Sequence, residues 1–247
     1  MAIREFRSRY AGSLFGVIWN LIHPLSLILI YTFVFSRVMK AKLPGVSDTF
    51  AYTIYLCSAL LPWMTFLETG QRSATAFLDN RNLIQKLRFP IEAPVAWITT
   101  FSLLNGLLTL GLLVVLVVAL GHHLAVSFLL LPVVLLLMQI WAFGLGLIFA
   151  SLTVFFRDVA QMVIILFQLW FWLTPIVYVQ RIVPPQYRLV QALNPMYYPV
   201  RALHTIVVDG RWPLLLDLGV LAGVAVVTLL LGYLITNKLR RDIPDEI

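Results

Sequence analysis

Six apolar segments of this sequence are long enough to cross a lipid bilayer as helices. The hydrocarbon core of a bilayer is about 30 Å thick, and a helix of about 20 apolar residues spans it. None of the segments alternates with the period of two that marks the strands of a membrane barrel, so we expect helices. They lie at about 17–39, 50–78, 92–120, 128–156, 159–179 and 214–237. The sequence therefore predicts an all-α integral membrane protein with six transmembrane helices, in which residues 1–247 form a single transmembrane domain.

The composition agrees with a lipid environment. Of the 247 residues, 61% are hydrophobic and 12% are charged, whereas about 25% are charged in an ordinary soluble domain. The formal net charge of +7 comes from short basic clusters between apolar segments. Such a distribution is typical of topology signals and of contacts with anionic headgroups. We therefore expect membrane lipids as partners and no nucleic acid.

The positions of the basic residues predict the orientation of the chain. If the N-terminus is cytoplasmic, eleven of the 18 Lys and Arg residues fall on the cytoplasmic side of the six predicted spans. An excess of Lys and Arg on that side is the usual topology signal of inner-membrane proteins. Both termini are therefore predicted to be cytoplasmic.

No pattern in the sequence encodes catalysis. The GxxxxGK[ST] loop that binds nucleotide phosphates is absent from the sequence, and no His, Cys or carboxylate set has metal-ligand spacing. The single cysteine, Cys57, excludes a disulfide framework. We expect no catalytic residue, no bound cofactor and no metal site in this chain.

Ionisable residues are rare in the predicted spans. Residues 94–120, 128–156 and 159–179 contain no Asp, Glu, Lys or Arg, whereas an ion-coupled carrier usually needs carboxylates at mid-membrane depth. Glu68 and Arg72, near the inner end of the second span, have the i,i+4 spacing of an ion pair on a helix. Any transport energy is therefore expected to come from outside this chain.

The first residues predict a helix that lies on the cytoplasmic membrane surface. Within residues 2–10, apolar and aromatic side chains share one helical face and basic side chains lie elsewhere, as in interfacial helices. The alternative is a frayed basic leader. The candidate residues are Ile3, Arg4, Phe6, Arg7, Arg9 and Tyr10.

Residues 79–88, between the second and third spans, predict a short cytoplasmic helix. Asp79 or Asn80 can cap its start, and Pro90 favours an end near residue 89. Its apolar edge would suit docking to a soluble partner, and the alternative is an inner loop that carries topology-setting charge. The candidate residues are Asp79, Asn80, Arg81, Leu83, Ile84, Lys86, Leu87 and Arg88.

The proline-rich segment 180–213 before the last span contains two short apolar stretches. Residues 187–193 and 197–208 are too short to span, so they predict re-entrant helices broken at Asn194-Pro195. An amphipathic outer loop without a gating role is the alternative. The candidate gate residues are Tyr187, Asn194, Pro195, Tyr197, Tyr198 and Arg201.

Aromatic residues recur in the second and fifth predicted spans. Aromatic rings can stack on sugar rings, although helix packing or an interfacial belt is the commoner reason for such residues. The candidates for contact with a glycan are Trp63, Phe66, Phe167, Trp170, Phe171 and Tyr178.

Six motifs in a fixed order resemble those of one family. The first is Ser8-Arg9-Tyr10, Ser13, Gly16, Trp19 and Pro24-Leu25, which is similar to the opening signature SRYxxSxxGxxWxxxxPL of ABC-2-type polysaccharide permeases. The others are Leu61-Pro62-Trp63, the FPIEAP run at 89–94, Arg157-Asp158 with Gln161, the TPIVY run at 174–178, and Asn194-Pro195. The chain thus resembles the membrane subunits that export O-antigen and teichoic acid.

The resemblance implies a function and partners that the composition does not show. It implies a homodimer in the bacterial inner membrane that works with two copies of a P-loop ATPase, and the ATPase rather than this chain binds ATP and Mg. The substrate would be a lipid-linked polysaccharide. Residues 79–88 match the coupling helix of the family, residues 2–10 its interface helix, and residues 187–193 and 197–208 its outer gate helices. The aromatic candidates would then lie on or near the glycan path.

Other functions remain open at this level. The chain could be an ABC-2 exporter of a drug or lipid, an ion-coupled secondary carrier, or an assembly subunit without transport. Members of the family usually carry more residues before the segment that resembles Arg4-Glu5-Phe6, so we expect the N-terminus of this sequence to be either trimmed or misassigned.

Overall fold

The computed structural model describes residues 19–38, 50–86, 90–180 and 183–247. The predicted interfacial helix at 2–10, together with Leu87 and Arg88, lies outside these residues. Within the described ranges the chain forms helices joined by turns, and no strand occurs there. The predicted all-α class is therefore confirmed for this part of the chain.

Six longer helices occupy the positions of the predicted spans, and shorter helices lie between them. α1 (Trp19–Tyr31) continues as a π-helix at Thr32–Val38, and a 3₁₀ turn at Val126–Leu130 leads into α6. The remaining helices are α2 (Ala51–Ala74), α3 (Ala76–Asp79), α4 (Arg81–Lys86), α5 (Ala93–Ala119), α6 (Leu131–Phe155), α7 (Asp158–Leu173), α8 (Arg188–Leu193), α9 (Tyr197–Val207), α10 (Leu215–Leu239) and α11 (Ile243–Glu246).

Three of these helical segments are long and apolar enough to cross a membrane: Ala93–Ala119, Val126–Phe155 and Leu215–Leu239. The apolar helices at Ile22–Phe35 and Asp158–Leu173 are shorter. The 24-residue helix α2 has the length, but Glu68 and Arg72 interrupt its apolar character. The count of six spans therefore stays a prediction, while helices at all six positions are observed.

The fifth predicted span is shorter than expected. Helix α7 ends at Leu173 rather than near residue 179, and Thr174 has an extended backbone. The cause is Pro175, whose ring disfavours a helical conformation of the preceding residue. The 16 residues of α7 measure about 24 Å at 1.5 Å per residue, which is less than the hydrocarbon thickness of about 30 Å.

Helix α6 lies at the centre of the bundle and packs against α2, α5, α7 and α10. Its contact with α10 is unusually close. A Cβ atom added to Gly144 would lie 2.5 Å from the backbone nitrogen of Leu229, and one added to Gly232 would lie 2.5 Å from the carbonyl oxygen of Gly144. Small residues allow such backbone approaches between membrane helices. The hydroxyl groups of Ser151 and Thr236 also share a hydrogen bond of 2.9 Å across this interface.

A second apolar core lies at the end of the bundle that is predicted to be cytoplasmic. Buried side chains from the segments around α3 and α4 meet the start of α5, the end of α6 and helix α11. The members with the least exposure are Phe77, Val95, Leu147 and Ile243. This core fixes the position of residues 76–86, which we call the coupling segment.

Candidate functional site

The N-terminal end of α2 holds the turn that follows α7. The Tyr52 hydroxyl donates a hydrogen bond to the carbonyl oxygen of Val177. The Tyr55 hydroxyl lies 3.1 Å from the carbonyl oxygen of Tyr178 and 3.3 Å from that of Pro175. Because α7 ends before Pro175, the backbone carbonyl groups of residues 175–178 are not bonded within a helix. The hydroxyl groups of Tyr52 and Tyr55 supply hydrogen-bond donors to them instead. The TPIVY motif therefore forms a turn that is fixed by α2.

Asn194 joins the end of α7 to the start of α9. Its Oδ1 accepts hydrogen bonds from the Trp170 indole at 2.7 Å and from the Met196 amide at 3.0 Å. Its Nδ2 donates to the Thr174 hydroxyl at 2.9 Å and to the Leu173 carbonyl oxygen at 3.3 Å. An asparagine side chain offers both a donor and an acceptor group, which explains why this residue stands at the break between α8 and α9.

Arg201 of α9 binds Asp217 in the first turn of α10. The guanidinium Nε lies 3.0 and 3.1 Å from the two carboxylate oxygens, and a second guanidinium nitrogen also contacts the carboxylate. Asp217 is only 1% exposed, so the arginine supplies the charge partner that a buried carboxylate needs. The hydrogen bond to Asp217 raises the pKa of Arg201 above its ordinary value.

The rings of Tyr197 and Tyr198 flank the same arginine. The Arg201 guanidinium carbon lies 5.0 Å from the centre of the Tyr197 ring and 5.6 Å from that of Tyr198. Tyr197 also accepts hydrogen bonds from Arg201, at 3.2 Å, and from Gln180. Cation–π contacts of this kind stabilise a partly desolvated arginine.

His204 lies one turn beyond Arg201 on α9. Its ring stacks on that of Tyr55 with centres 3.7 Å apart, and its Nε2 atom is buried without a hydrogen-bond partner. Burial lowers the pKa of His204 to about 3, so the imidazole is neutral at physiological pH. Tyr55, Tyr197, Arg201, His204 and Asp217 form what we call the outer cluster.

The six predicted gate residues differ in their contacts and burial. Tyr197 and Arg201 belong to the outer cluster, Asn194 is the junction described above, and Pro195 is half-buried next to it. Tyr198 is half-buried, and its hydroxyl donates to the Ala192 carbonyl oxygen at 2.9 Å. Tyr187 is exposed and lies apart from the outer cluster. Helices α8 and α9 match the predicted stretches at 187–193 and 197–208 closely.

The predicted glycan-contact residues are mostly interior. Trp63, Phe66 and Phe167 are buried, and they pack with Trp141 and Trp170 in one aromatic cluster with ring centres 5.0 to 6.1 Å apart. For the three buried rings this geometry favours helix packing, the alternative that the sequence left open. Trp170 belongs to this cluster but is only half-buried, as are Phe171 and Tyr178.

The coupling segment consists of two short helices, and the second of them, α4, lies within the range 79–88 for which a helix was predicted. α3 ends at Asp79, and α4 begins at Arg81. At the start of α4, the carbonyl oxygen of Asn80 accepts hydrogen bonds from the amides of Leu83 and Ile84, at 3.0 and 3.2 Å. The Thr75 hydroxyl donates to the Asp79 carboxylate at 2.7 Å, and the Asn80 amide donates to the Ala76 carbonyl oxygen at 2.8 Å.

The apolar edge of α4 faces the protein itself. Ile84 is buried in the second core, and Leu83 is half-buried, whereas Arg81, Asn82 and Gln85 are exposed. The side chain of Lys86 lies outside the described residues. Ile84, one residue of the predicted apolar edge, is therefore covered by its own chain, whereas Leu87 lies outside the described residues.

The structure also shows how other ionisable side chains are placed. The predicted Glu68–Arg72 ion pair is confirmed, with 3.2 Å between Arg72 Nη1 and Glu68 Oε1. In the part of the chain that the structure describes, no three His, Cys, Asp or Glu side chains lie together as metal ligands.

Sequence reasoning missed three members of the outer cluster. Tyr55 and His204 lie in apolar stretches far apart in the chain, and only the fold stacks them. Asp217 is the one acidic residue in the predicted last span, near its start, and an acid at such a position indicates a polar contact. The sequence does not identify the residue that binds it.

The family model described as ABC-2 type transporter matches residues 1–208. The O-antigen export system permease protein RfbA of Myxococcus xanthus is 31% identical over 246 residues, which cover 99% of this chain and 92% of that protein.

Two further relatives are more distant. A Klebsiella pneumoniae protein of the same name is 27% identical over 208 residues, covering 84% of this chain and 78% of the relative. The polysialic acid transport protein KpsM of Escherichia coli is 26% identical over 234 residues, covering 93% of this chain and 88% of the relative.

Proposed function

The chain belongs to the ABC-2 type transporter family, and we propose that it is the membrane-spanning subunit of an exporter that moves a lipid-linked polysaccharide across the bacterial inner membrane. The observation that carries this proposal is the similarity along 99% of the chain to a permease of O-antigen export. A second relative transports polysialic acid, which is also a polysaccharide. The cargo class is thus inherited from relatives that share nearly the full length.

The energy for export would come from a partner ATPase. The chain carries no phosphate-binding loop in its sequence, so ATP and Mg would be bound by the partner. The coupling segment is the proposed contact, since α4 presents the exposed side chains of Arg81, Asn82 and Gln85. A polar surface of this kind suits an interface that forms between a membrane protein and a soluble subunit.

A homodimer is proposed as the unit that forms the glycan path. The interior of one copy is filled by the aromatic cluster, so a polymer would have to pass between two copies. Helix α7 has an exposed apolar face. It is formed by Met162, Ile165, Leu169 and Trp172, which are three or four residues apart and so lie on the same side of the helix. Lipid or a second copy of the chain has to cover this face.

Within this dimer, α8 and α9 would restrict leakage on the outer side. They are anchored to α7 through Asn194 and to α10 through Arg201, so their position depends on both helices. Trp170, Phe171 and Tyr178, which are half-buried rather than buried, are the candidates for contact with sugar rings. Both roles are part of the proposal.

The first test is purification of the tagged chain from native membranes, followed by mass spectrometry of the proteins and lipid-linked glycans that accompany it. A P-loop ATPase in equal amount, together with loss of surface polysaccharide when the chain is depleted, is the expected result. An intact chain that brings no ATPase in several detergents would contradict the proposal. An ATPase without any change in surface polysaccharide would indicate a drug or lipid as cargo.

A further inference from the structure

We propose that residues 243–247 are a positioning segment, which attaches the coupling segment to α10 and so connects it to the outer cluster. The inference rests on the proposed function, because it concerns how movement at the ATPase contact reaches the other side of the membrane. It assigns a role to the C-terminal residues that the sequence did not suggest.

The first observation is the burial of Ile243. This side chain is 0% exposed and lies in the second core with Phe77, Ile84 and Val154. Ile84 belongs to α4 and Phe77 to α3, so one apolar core joins α11 to both helices of the coupling segment, and α11 contacts α4 directly. Burial removes the apolar surface of the isoleucine side chain from water, which favours the packed position of this short segment.

The second observation is a pair of hydrogen bonds next to this apolar contact. The Gln85 amide nitrogen lies 2.9 Å from the carbonyl oxygen of Ile247 and 3.3 Å from that of Pro244. Gln85 follows Ile84 on α4, so adjacent residues bind the C-terminal segment by an apolar and a polar contact. A tail that only carried topology-setting charge would need neither contact.

The C-terminal segment continues α10 through a tight turn. The Asp242 amide donates to the Leu239 carbonyl oxygen at 3.0 Å, and the Asp245 and Glu246 amides donate to that of Asp242 at 3.1 and 3.2 Å. These bonds restrict the position of Ile243 relative to Leu239 at the end of α10. A displacement of α4 is therefore passed to the inner end of α10.

Helix α10 reaches the outer cluster without a break. Its 25 residues measure about 38 Å at 1.5 Å per residue, and the close contact at Gly144 and Gly232 holds it against α6. Asp217 at its outer end binds Arg201 of α9. The coupling segment, α10 and α9 are thus joined by specific contacts at both ends of one helix, which is the physical connection that coupling between distant sites requires.

The test uses the complex of this chain with its ATPase and begins with disulfide cross-linking. In a Cys57→Ala background, the pair Gln85→Cys and Ile247→Cys is expected to cross-link on oxidation. The matched control is Leu83→Cys with Ile247→Cys, because residues 83 and 85 point to opposite sides of α4. Equal cross-linking of both pairs would overturn the inference.

The functional arm compares Ile243→Asp with the conservative change Ile243→Val. We expect Ile243→Asp to abolish the cross-link and to lower polysaccharide export at least five-fold, while the ATPase still co-purifies and hydrolyses ATP. Ile243→Val should keep both the cross-link and export. A purely stabilising role would lower the amount of complex and leave the ratio of export to ATP hydrolysis unchanged, which would overturn the inference.

Failure of the proposed function is distinguishable from failure of this inference. Absence of an ATPase with the unmodified chain would remove the proposed function and the inference with it. Normal export by Ile243→Asp in an intact complex would remove only the inference.

Discussion

The indole nitrogen of Trp170 donates a hydrogen bond of 2.7 Å to Oδ1 of Asn194. This bond links the aromatic cluster inside the bundle to the junction between α8 and α9. Trp170 packs edge-on against Trp63 and Trp141, while Asn194 also binds Thr174 and Met196. The position of the outer helices therefore depends on packing in the bundle interior.

Replacing Asn194 with Ala should destabilise the protein and reduce export. The change removes bonds to the Trp170 indole and the Thr174 hydroxyl. A hydrogen bond contributes about 0.5–1.5 kcal/mol net, and unpaired buried groups cost more, so a loss of about 2–4 kcal/mol is expected. The measurement is the thermal unfolding midpoint of purified protein in detergent, with the exposed Asn237→Ala as control. Equal midpoints for Asn194→Ala and the unmodified chain would contradict this assignment.

Removing one partner of the Arg201–Asp217 pair should be more harmful than removing both. Arg201→Met leaves a carboxylate at 1% exposure without its cation, and breaking a buried pair typically costs about 3–5 kcal/mol. Arg201→Met combined with Asp217→Leu should recover part of this stability. Thermal unfolding of Arg201→Met, of Asp217→Leu and of the double variant is the measurement, and Asp209→Ala, at an exposed acid, is the control. Additive losses in the double variant would show that the two residues do not interact energetically.

Trp63→Ala should reduce the amount of folded protein rather than act on export alone. Trp63 is buried among aromatic rings, and replacing a buried aromatic residue by Ala costs about 3–5 kcal/mol. Trp172→Ala is the control, because Trp172 is exposed on α7. Size-exclusion chromatography of detergent extracts measures the folded fraction. Normal folded yield of Trp63→Ala with a selective loss of export would instead support direct contact with the glycan.

Arg81→Glu should weaken binding of the ATPase without destabilising this chain. Arg81 is exposed on α4, so its replacement changes the proposed interface and not the core. Ile84→Asp, one turn further on, should unfold the second core because Ile84 is buried. Co-purification of the ATPase, normalised to the amount of folded chain, separates the two effects. Full ATPase recovery with Arg81→Glu would exclude Arg81 from the interface.

Substitution of Gly232 should disrupt the contact between α6 and α10. A Cβ atom there would lie 2.5 Å from the carbonyl oxygen of Gly144, whereas one at Gly223 meets nothing within 4 Å. We therefore expect Gly232→Val to lower the folded yield several-fold and Gly223→Val to leave it unchanged. Detergent-resistant folded protein is the quantity to compare. Similar folded yields of the two valine variants would show that the close contact between α6 and α10 does not contribute to the stability of the protein.

The sequence by itself determined the helical class, the positions of the longer helices and the two short helices around Asn194. Apolar length and proline positions are local properties, so they can be identified without tertiary information. The family motifs supplied the function. The i,i+4 pair of Glu68 and Arg72 was also predictable, because its geometry lies within one helix.

Only the tertiary structure decided which residues meet across helices. The pairing of Asp217 with Arg201, the stacking of Tyr55 on His204 and the common core of Ile84 and Ile243 each join residues that are distant in the sequence. In a chain where most helices are apolar on every side, periodicity does not distinguish a face toward lipid from a face toward protein. The packing of α6 and α10 through two glycines and the polar contacts at the helix ends make that distinction.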